Sequence, residues 1–472
     1  MSAVRIVQEL GTADRTADVV IVGTGAGSAA VAGAARRKGL SVIMIEAGAA
    51  VTPQPGIHMR NVMTDPEFNR KAMEFLLPHA GGDIPVAGLP GTRGIHAVGG
   101  MMIAWSHAVP RPQFPAEWDG PVPEATLSRY LDEAERLLWA TDELYGDGGS
   151  RQKWVAARLA EQDGLQSRVV PIAARRDSLG GVEYAGAAAL FDPEGATGEL
   201  TIITGAVARR IVHRDGLAIG VLAVDAKVGE FTVSGASIVV GAGAVGTPQL
   251  LFASGLRHPA LGRYSTDHVN VVSTVPLLAD APSESQDEPA MNLYLPVTDE
   301  RPFHTAVLDL PSVAHTGIAM GDDALTVTNL GTFVGTEPVH SNGLDFHETE
   351  IDRFGMPAVT AHFRLTEADH ARVAQVYSDH YRIARAIGEP TTGTTSYLRP
   401  FGSALHLMGT HRMGADEATS VLDAAGKVRG TSNVFAVGNG VLPSRNSVNP
   451  TLTTVALALN TADGMFEEGT RS

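Results

Sequence analysis

The segment DVVIVGTGAGSAAVAGAARRKGLSVIMIE runs from Asp18 to Glu46. It opens on an apolar run, Val19 to Val22, of the length expected of a buried parallel strand. Gly23, Gly25 and Gly27 follow, then a helix of small residues from Ser28 to Lys38. The basic last turn, Arg36-Arg37-Lys38, and Gly39 behind it suit the negative end of a helix and its glycine stop. A second apolar strand, Val42 to Ile45, delivers Glu46. Strand, glycine turn, helix, strand and acid, in that order, form the fingerprint of a dinucleotide-binding βαβ unit. The glycines let the backbone approach a pyrophosphate, and the helix N-terminus stabilises its charge. Glu46 falls where a ribose hydroxyl is held. The third glycine of the strict pattern is replaced by Ser28, with Gly27 one place early; serine is small enough for close packing of helix on strand. The bland alternative is a glycine-rich turn without a ligand.

Outward from this unit, the 472 residues allow about three domains or a large two-domain enzyme. A hydrophobic content of 44% provides for a sizeable core. No run approaches the ~18–20 apolar residues of a membrane span, and the N-terminus, with Glu9, Asp14 and Arg15, has no signal-like core. With no cysteine there is no disulfide or thiolate chemistry, which fits a reducing, cytoplasmic setting. The net charge of −16 argues against nucleic acid and anionic membranes as partners.

Residues 51–90 show little periodicity and read as surface-crossing chain. Val98-Gly99-Gly100-Met-Met-Ile-Ala104-Trp105-Ser106 is a glycine pair leading into bulky residues, able to lie against a planar ring or to be an ordinary buried loop around Trp105. Pro123 to Leu138 predicts an amphipathic helix with Leu127, Tyr130, Leu131, Ala134 and Leu137 on one face. Leu200 to Val240 alternates as a β-meander does. It flows into Gly241-Ala-Gly243-Ala-Val-Gly246, a full GxGxxG match. No second strand and acid follow, so this turn packs on the first cofactor and is not a second nucleotide site. From about Asn270 to Pro400 the pattern predicts a mostly antiparallel sheet with helices, one of them from Glu367 to Ile387, inserted before the chain returns to its first domain.

The C-terminal part carries the candidate chemistry. Asn433 to Gly440 predicts a buried strand ending in the turn Gly438-Asn439-Gly440, and Pro450 to Asp463 a helix with Asn449 and Pro450 at the cap and first position. Capping alone would account for Asn449. His406, beside glycine turns, suits general-base work, though a lone histidine is as often structural. His411, five places on, has no zinc-site context, and no metal site is expected.

These motifs resemble the glucose-methanol-choline (GMC) oxidoreductases and, within them, the pyranose oxidase branch. The resemblance rests on GTGAGS at Gly23 to Ser28 with IEAG at Ile45 to Gly48, and GAVGTPQLLFASGL at Gly243 to Leu256. It rests also on DRFGMPAVTAHFR at Asp352 to Arg364, HLMGTHRMG at His406 to Gly414, and GNGVLPSRNSVNPTLT at Gly438 to Thr453. It implies FAD and an α/β fold: a Rossmann-type FAD-binding domain, 1–269 with 401–472, and an inserted α+β substrate domain, 270–400, on a mostly antiparallel sheet. It also implies oxidation of an alcohol carbon, with hydride passing to flavin N5. His406 and Asn449 match the family's catalytic pair. His406 would take the hydroxyl proton and Asn449 orient the hydroxyl, while Pro450 and Thr451 open a helix facing the flavin. Gly438 and Asn439 belong to the same cofactor-facing motif, and Val207 matches a position whose backbone meets the adenine.

The loop from Gly99 and Gly100 resembles the pyranose oxidase segment in which a histidine is joined to FAD. Ala104 holds that place here, beside Trp105, so FAD is expected to be non-covalent; Ser106 matches a threonine near flavin N5. The expected function is therefore oxidation of a sugar, glycoside or aminosugar, or a comparable polyol, with dioxygen as acceptor. The alternatives are a dehydrogenase with another acceptor, a lyase using FAD structurally, and a cofactor-free binding protein that kept the fold.

Overall fold

The computed structural model describes residues 4–7, 15–62, 88–144, 148–282, 291–309, 327–388 and 395–469. Two sheets organise them. The first has eight strands. Its parallel part runs Val4–Val7, Leu200–Thr204, Val42–Glu46, Arg15–Val22 and Gly229–Val240, with Val434–Ala436 beside the last. Gly229–Val240 continues antiparallel into Leu217–Asp225 and Ala206–Arg214. All five residues of Val42–Glu46 and the last four of Arg15–Val22 are buried, as in a sheet covered on both faces.

The helix Ala26–Arg37 follows the first glycine turn and packs against Thr451–Gly469, which in turn meets Glu124–Leu138. Glu124–Leu138 buries the apolar stripe predicted for it, Leu127, Tyr130, Leu131, Ala134 and Leu137. Arg36, expected to serve the helix end, is fully buried instead. Its guanidinium donates to the Gly198 and Phe191 carbonyls and pairs with Asp192. One strand departs from the expected meander: Leu200–Thr204 is a parallel neighbour of Val42–Glu46. Gly205, at φ 74°, breaks the chain before the antiparallel arm begins.

The second sheet is antiparallel throughout, in the order Thr395–Leu398, His268–Pro276, Val327–Gly335, His304–Asp309, Asn292–Leu295 and Arg168–Val169. It thus draws a strand from upstream of 270–400. The helix Glu367–Ile387 opens on a capping box between Thr366 and Asp369. It covers one face of the sheet, where Val275, Val307 and Leu330 pack with Ile383, Ala384 and Ile387. Strand alternation sends the other residues to the opposite face, and there Thr274, Ala306, Leu308, Asn329, Gly331 and Phe333 are only half-buried. That uneven burial marks the face left free for something else. Most of the surface-crossing stretch, residues 63–87, lies outside the described residues.

Candidate active site

Around the first glycine turn the three glycines divide their work. A Cβ on Gly23 would stand 2.4 Å from the Gly241 carbonyl, and one on Gly27 2.8 Å from the Gly438 nitrogen. These two let neighbouring backbones meet. Gly25 and Gly438 face open space, since a Cβ on either would meet no atom within 4 Å. The helix behind Gly25 has no side-chain cap, so its first N–H groups remain for an anion. Ser28 is buried and donates to the Gly241 carbonyl at 3.3 Å, the close helix–strand contact expected of a small residue there. Glu46 is buried at the end of its strand, accepting from Thr24 Oγ1 at 2.6 Å and from the Gly48 nitrogen at 2.9 Å. Burial pushes its carboxyl up, and those two donors oppose the rise. Val207 lies two residues past Gly205, whose nitrogen donates to the Gly48 carbonyl, so its strand starts beside this acid. An open glycine floor, an uncapped helix end and an acid with spare acceptor sites fit the pyrophosphate and ribose of FAD.

The Gly99 loop lies on this turn. The Gly99 nitrogen donates to Thr24 Oγ1 at 2.9 Å, and Gly100 approaches Gly25. Both glycines have positive φ, 99° and 52°, a conformation that admits few other residues. Gly100–Ile103 forms one 3₁₀ turn, after which Ala104 and Ser106 are exposed. Trp105 is half-buried, anchored by Nε1–H to the Ala185 carbonyl at 2.9 Å.

His406 follows Leu405, a non-glycine residue held at φ 62°. Its Nδ1 is 2.8 Å from Nδ1 of His268, and the two rings meet edge to face at 4.7 Å. Nε2 of His268 lies 3.1 Å from Oδ1 of Asn446, a carbonyl oxygen that can only accept. His268 therefore carries its proton on Nε2 and accepts on Nδ1, and His406 must donate from Nδ1. This leaves Nε2 of His406 without a proton. The ring retains some exposure, yet dense packing makes charging it costly. Burial, reinforced by His268 and His304, holds its basicity well below the ordinary imidazole range. Burial likewise lowers His268 to about 4 and His304 to about 3. Phe333 closes this corner, 5.0 Å from the His406 ring.

Asn446 starts the segment that reaches Asn449. Glu117, buried, accepts from the Ser447 nitrogen at 2.7 Å and the Val448 nitrogen at 3.2 Å, fixing the two residues before Asn449. The helix begins at Thr451, with Pro450 offering the first carbonyl to the Thr454 nitrogen. The cap position thus falls on Pro450, one residue later than expected, because the proline carbonyl and not Asn449 closes the first turn. Asn449 is buried, and its amide makes no hydrogen bond among the described residues, so capping does not explain it. Asn439 Oδ1 accepts from Thr454 Oγ1 at 2.7 Å, tying the Gly438 turn to this helix.

His411 serves packing. It is fully buried against Gly440, where a Cβ would stand 2.0 Å from its Cε1, and burial lowers it to about 3. Its neighbour Thr410 donates to the Ala244 carbonyl at 2.6 Å, so this motif joins the Gly243–Ala253 helix to the Gly438 turn. Reading the sequence alone missed His268, His304 and Glu117. The two histidines share a strand face with His406's neighbours only through the sheet register, which no local pattern displays.

A mixed α/β fold with a dinucleotide fingerprint and a histidine of fixed tautomer fits an oxidoreductase that binds a dinucleotide cofactor. The family model GMC oxidoreductase matches residues 122–270 and again 345–458. The chain belongs to the GMC oxidoreductases, enzymes that use FAD and act on CH–OH groups. It is similar to C-glycoside 3-oxidase of Microbacterium trichothecenolyticum, 32% identical over 96% of each chain. It is 27% identical to pyranose 2-oxidase of Tricholoma matsutake, over 80% of this chain and 74% of that one. Among solved structures it resembles a pyridoxine 4-oxidase from Mesorbium loti, with TM-score 0.63 and 18% identity, covering 95% and 99% of the two chains. This last likeness is one of fold. No helix among the described residues is long and apolar enough to cross a membrane.

Proposed function

We propose that this chain oxidises a ring hydroxyl of a sugar or glycoside, with aminosugars and other polyols as related substrates and dioxygen as the acceptor. The observation that carries the reading is the chain His406–His268–Asn446, which leaves Nε2 of His406 free to take a proton. FAD, when bound, supplies the acceptor for the two electrons that leave the carbon. Nε2 of His406 receives the hydroxyl proton as the carbon–hydrogen bond breaks. The Asn449 amide, otherwise unengaged, donates to the same oxygen and orients it. Glu117 acts at one remove, holding the Asn449 segment. The N-terminus of Thr451–Gly469 stabilises negative charge developing on the bound ring system.

Gly23, Gly25, Gly27, Ser28, Glu46, Gly438 and Asn439 would hold the dinucleotide, with Val207 near the adenine and Gly99, Gly100, Trp105 and Ser106 beside the ring. Ala104 has no atom that can bond to FAD, which supports non-covalent binding; trichloroacetic acid should release all the yellow colour. We assign 1–269 with 401–472 to the cofactor and 270–400 to the substrate, with Arg168–Val169 joining the latter. A cytoplasmic location, from the cysteine-free composition, forms part of this proposal.

The sugar and glycoside class is supported by the relatives' activities. Anaerobic mixing with sugars, glycosides, aminosugars and simple alcohols, followed by air, tests it. Bleaching by a sugar or glycoside with rapid recolouring and peroxide is the expected result. Persistent bleaching would make the enzyme a dehydrogenase, and no bleaching by any of them would contradict the redox reading and favour a lyase.

A further inference from the structure

We infer that the open face of the second sheet is a binding site for the portion of a glycoside beyond the ring being oxidised, a flat and largely apolar aglycone. This rests on the glycoside reading above. The register sets side chains on that face in rows. The first row holds His268 opposite Gly335, and the second Asn270, Phe333 and His304. The third holds Tyr397, Val272, Gly331, Ala306 and Tyr294, and the fourth Thr274, Asn329, Leu308 and Asn292. His406 touches His268 and Phe333, so the reacting carbon belongs to the first two rows. From the first row to the third is four residues, roughly 13 Å at strand spacing, beyond a single sugar ring.

The third row is shaped as a trough. Its centre carries the two smallest side chains, Gly331 and Ala306, both half-exposed. A Cβ on Gly331 would meet no atom within 4 Å. Glycine inside a strand marks close approach by another backbone or by a ligand, and among the described residues no backbone approaches here. At one end of the row Tyr397 is exposed and offers its ring to a flat apolar group. Tyr294 at the other end is buried and stacked on His304 at 4.9 Å, closing the row. In the flanking rows, Oδ1 of Asn270 and of Asn329 are buried without a hydrogen-bond partner among the described residues. Such atoms call for an occupant, and hydroxyl groups on the substrate would supply it.

The test compares kcat/KM for phenyl β-glucoside and for glucose in the FAD-loaded parent and in Gly331→Leu, with Asn329→Ala as a second variant. Gly331 is not at positive φ, so a side chain can be added without backbone strain, and an unchanged Tm verifies the fold. The parent should prefer the phenyl glucoside by roughly tenfold or more. Gly331→Leu should abolish that preference while leaving glucose within about twofold. Asn329→Ala should lower kcat/KM for the glycoside alone. A parent without the preference, or an equal fall for both substrates, would overturn the site. Should neither sugar reduce the cofactor, the oxidation reading fails, and equilibrium dialysis with phenyl β-glucoside decides the site by itself. Binding weakened in Gly331→Leu upholds it, and equal binding overturns it.

Discussion

Beside the Gly99 loop, His58 and His107 meet edge to face at 4.1 Å, with Tyr184 and Trp105 around them. At the first row of the second sheet, His268 and His406 meet in the same way at 4.7 Å, with Phe333 beside both. Burial lowers both groups: His58 to about 3, His107 to about 2, His268 to about 4 and His406 well below its usual range. What separates them is direction. Among the described residues, both ring nitrogens of His107 are buried without a hydrogen-bond partner. His58 is occupied by the Arg60 nitrogen on one side and the Trp105 carbonyl on the other. Neither passes a hydrogen bond to the other. The His268–His406 pair forms a chain that ends on Asn446 and leaves Nε2 of His406 without a proton. Low basicity is thus common to both groups, and a fixed tautomer is what sets His406 apart and motivates its proposed role.

The sharpest way to break this contrast is to remove each group in turn. His406→Ala should keep the yellow cofactor and lose roughly 10²–10⁴-fold in the rate of reduction by substrate. His107→Phe should stay within about twofold of the parent in the same stopped-flow measurement. A large loss in His107→Phe would make the lower pair catalytic as well. A smaller effect is expected from His268→Phe, which keeps a ring but removes the acceptor for Nδ1–H of His406. The rate should fall roughly 10–100-fold, on the scale of other groups that orient a working histidine, with KM little changed. An undiminished rate would show that His406 sets its own tautomer.

Stability against pH sharpens the comparison at the level of the whole molecule. Among the described residues eight histidines, at 58, 107, 258, 268, 304, 380, 406 and 411, are held below their ordinary value by burial. Each stays neutral when folded and protonates near 6.5 when unfolded. The unfolded chain therefore binds more protons between about pH 6.5 and 4, and stability falls as pH drops through that window, by up to ~1.4 kcal/mol per unit for each group and less for the half-buried His258. Asp267, pushed up to about 7 by burial, and the raised Glu46 and Glu117 act in the opposite sense but are fewer. Thermal denaturation from pH 8 to 4 should show Tm level above 7 and dropping below 6.5. The smallest effect belongs to His107→Phe, which deletes two unpartnered nitrogens and should hold or raise stability by about 1 kcal/mol.

The strand–glycine–helix–strand unit was legible because its pattern is contiguous, from Val19 through Gly23, Gly25 and Ser28 to Glu46. Gly241, which Gly23 and Ser28 meet, lies more than 200 residues away and was not readable as their partner. The helices Glu124–Leu138 and Glu367–Ile387 were legible from their periodicity, which needs no distant partner. His406 and Asn449 could be marked by motif, though burial, tautomer and the absence of a cap were not readable. His268, His304 and Gly331 escaped because their meaning lies in cross-strand register, where residues tens of positions apart become neighbours. Glu117 escaped for the same reason, holding backbone more than 300 residues away.

The most direct test is the anaerobic rate constant of substrate-driven reduction against pH, in the parent and in His406→Ala. With His406 neutral and its Nε2 open, the parent rate should stay level from about pH 8 to 5.5, since protonation lies well below the ordinary ~6.5. The variant should remain yellow and be slower by more than about 100-fold at every pH. A parent rate that falls away near pH 6.5, or a variant as fast as the parent, would contradict the assignment of His406 as the base.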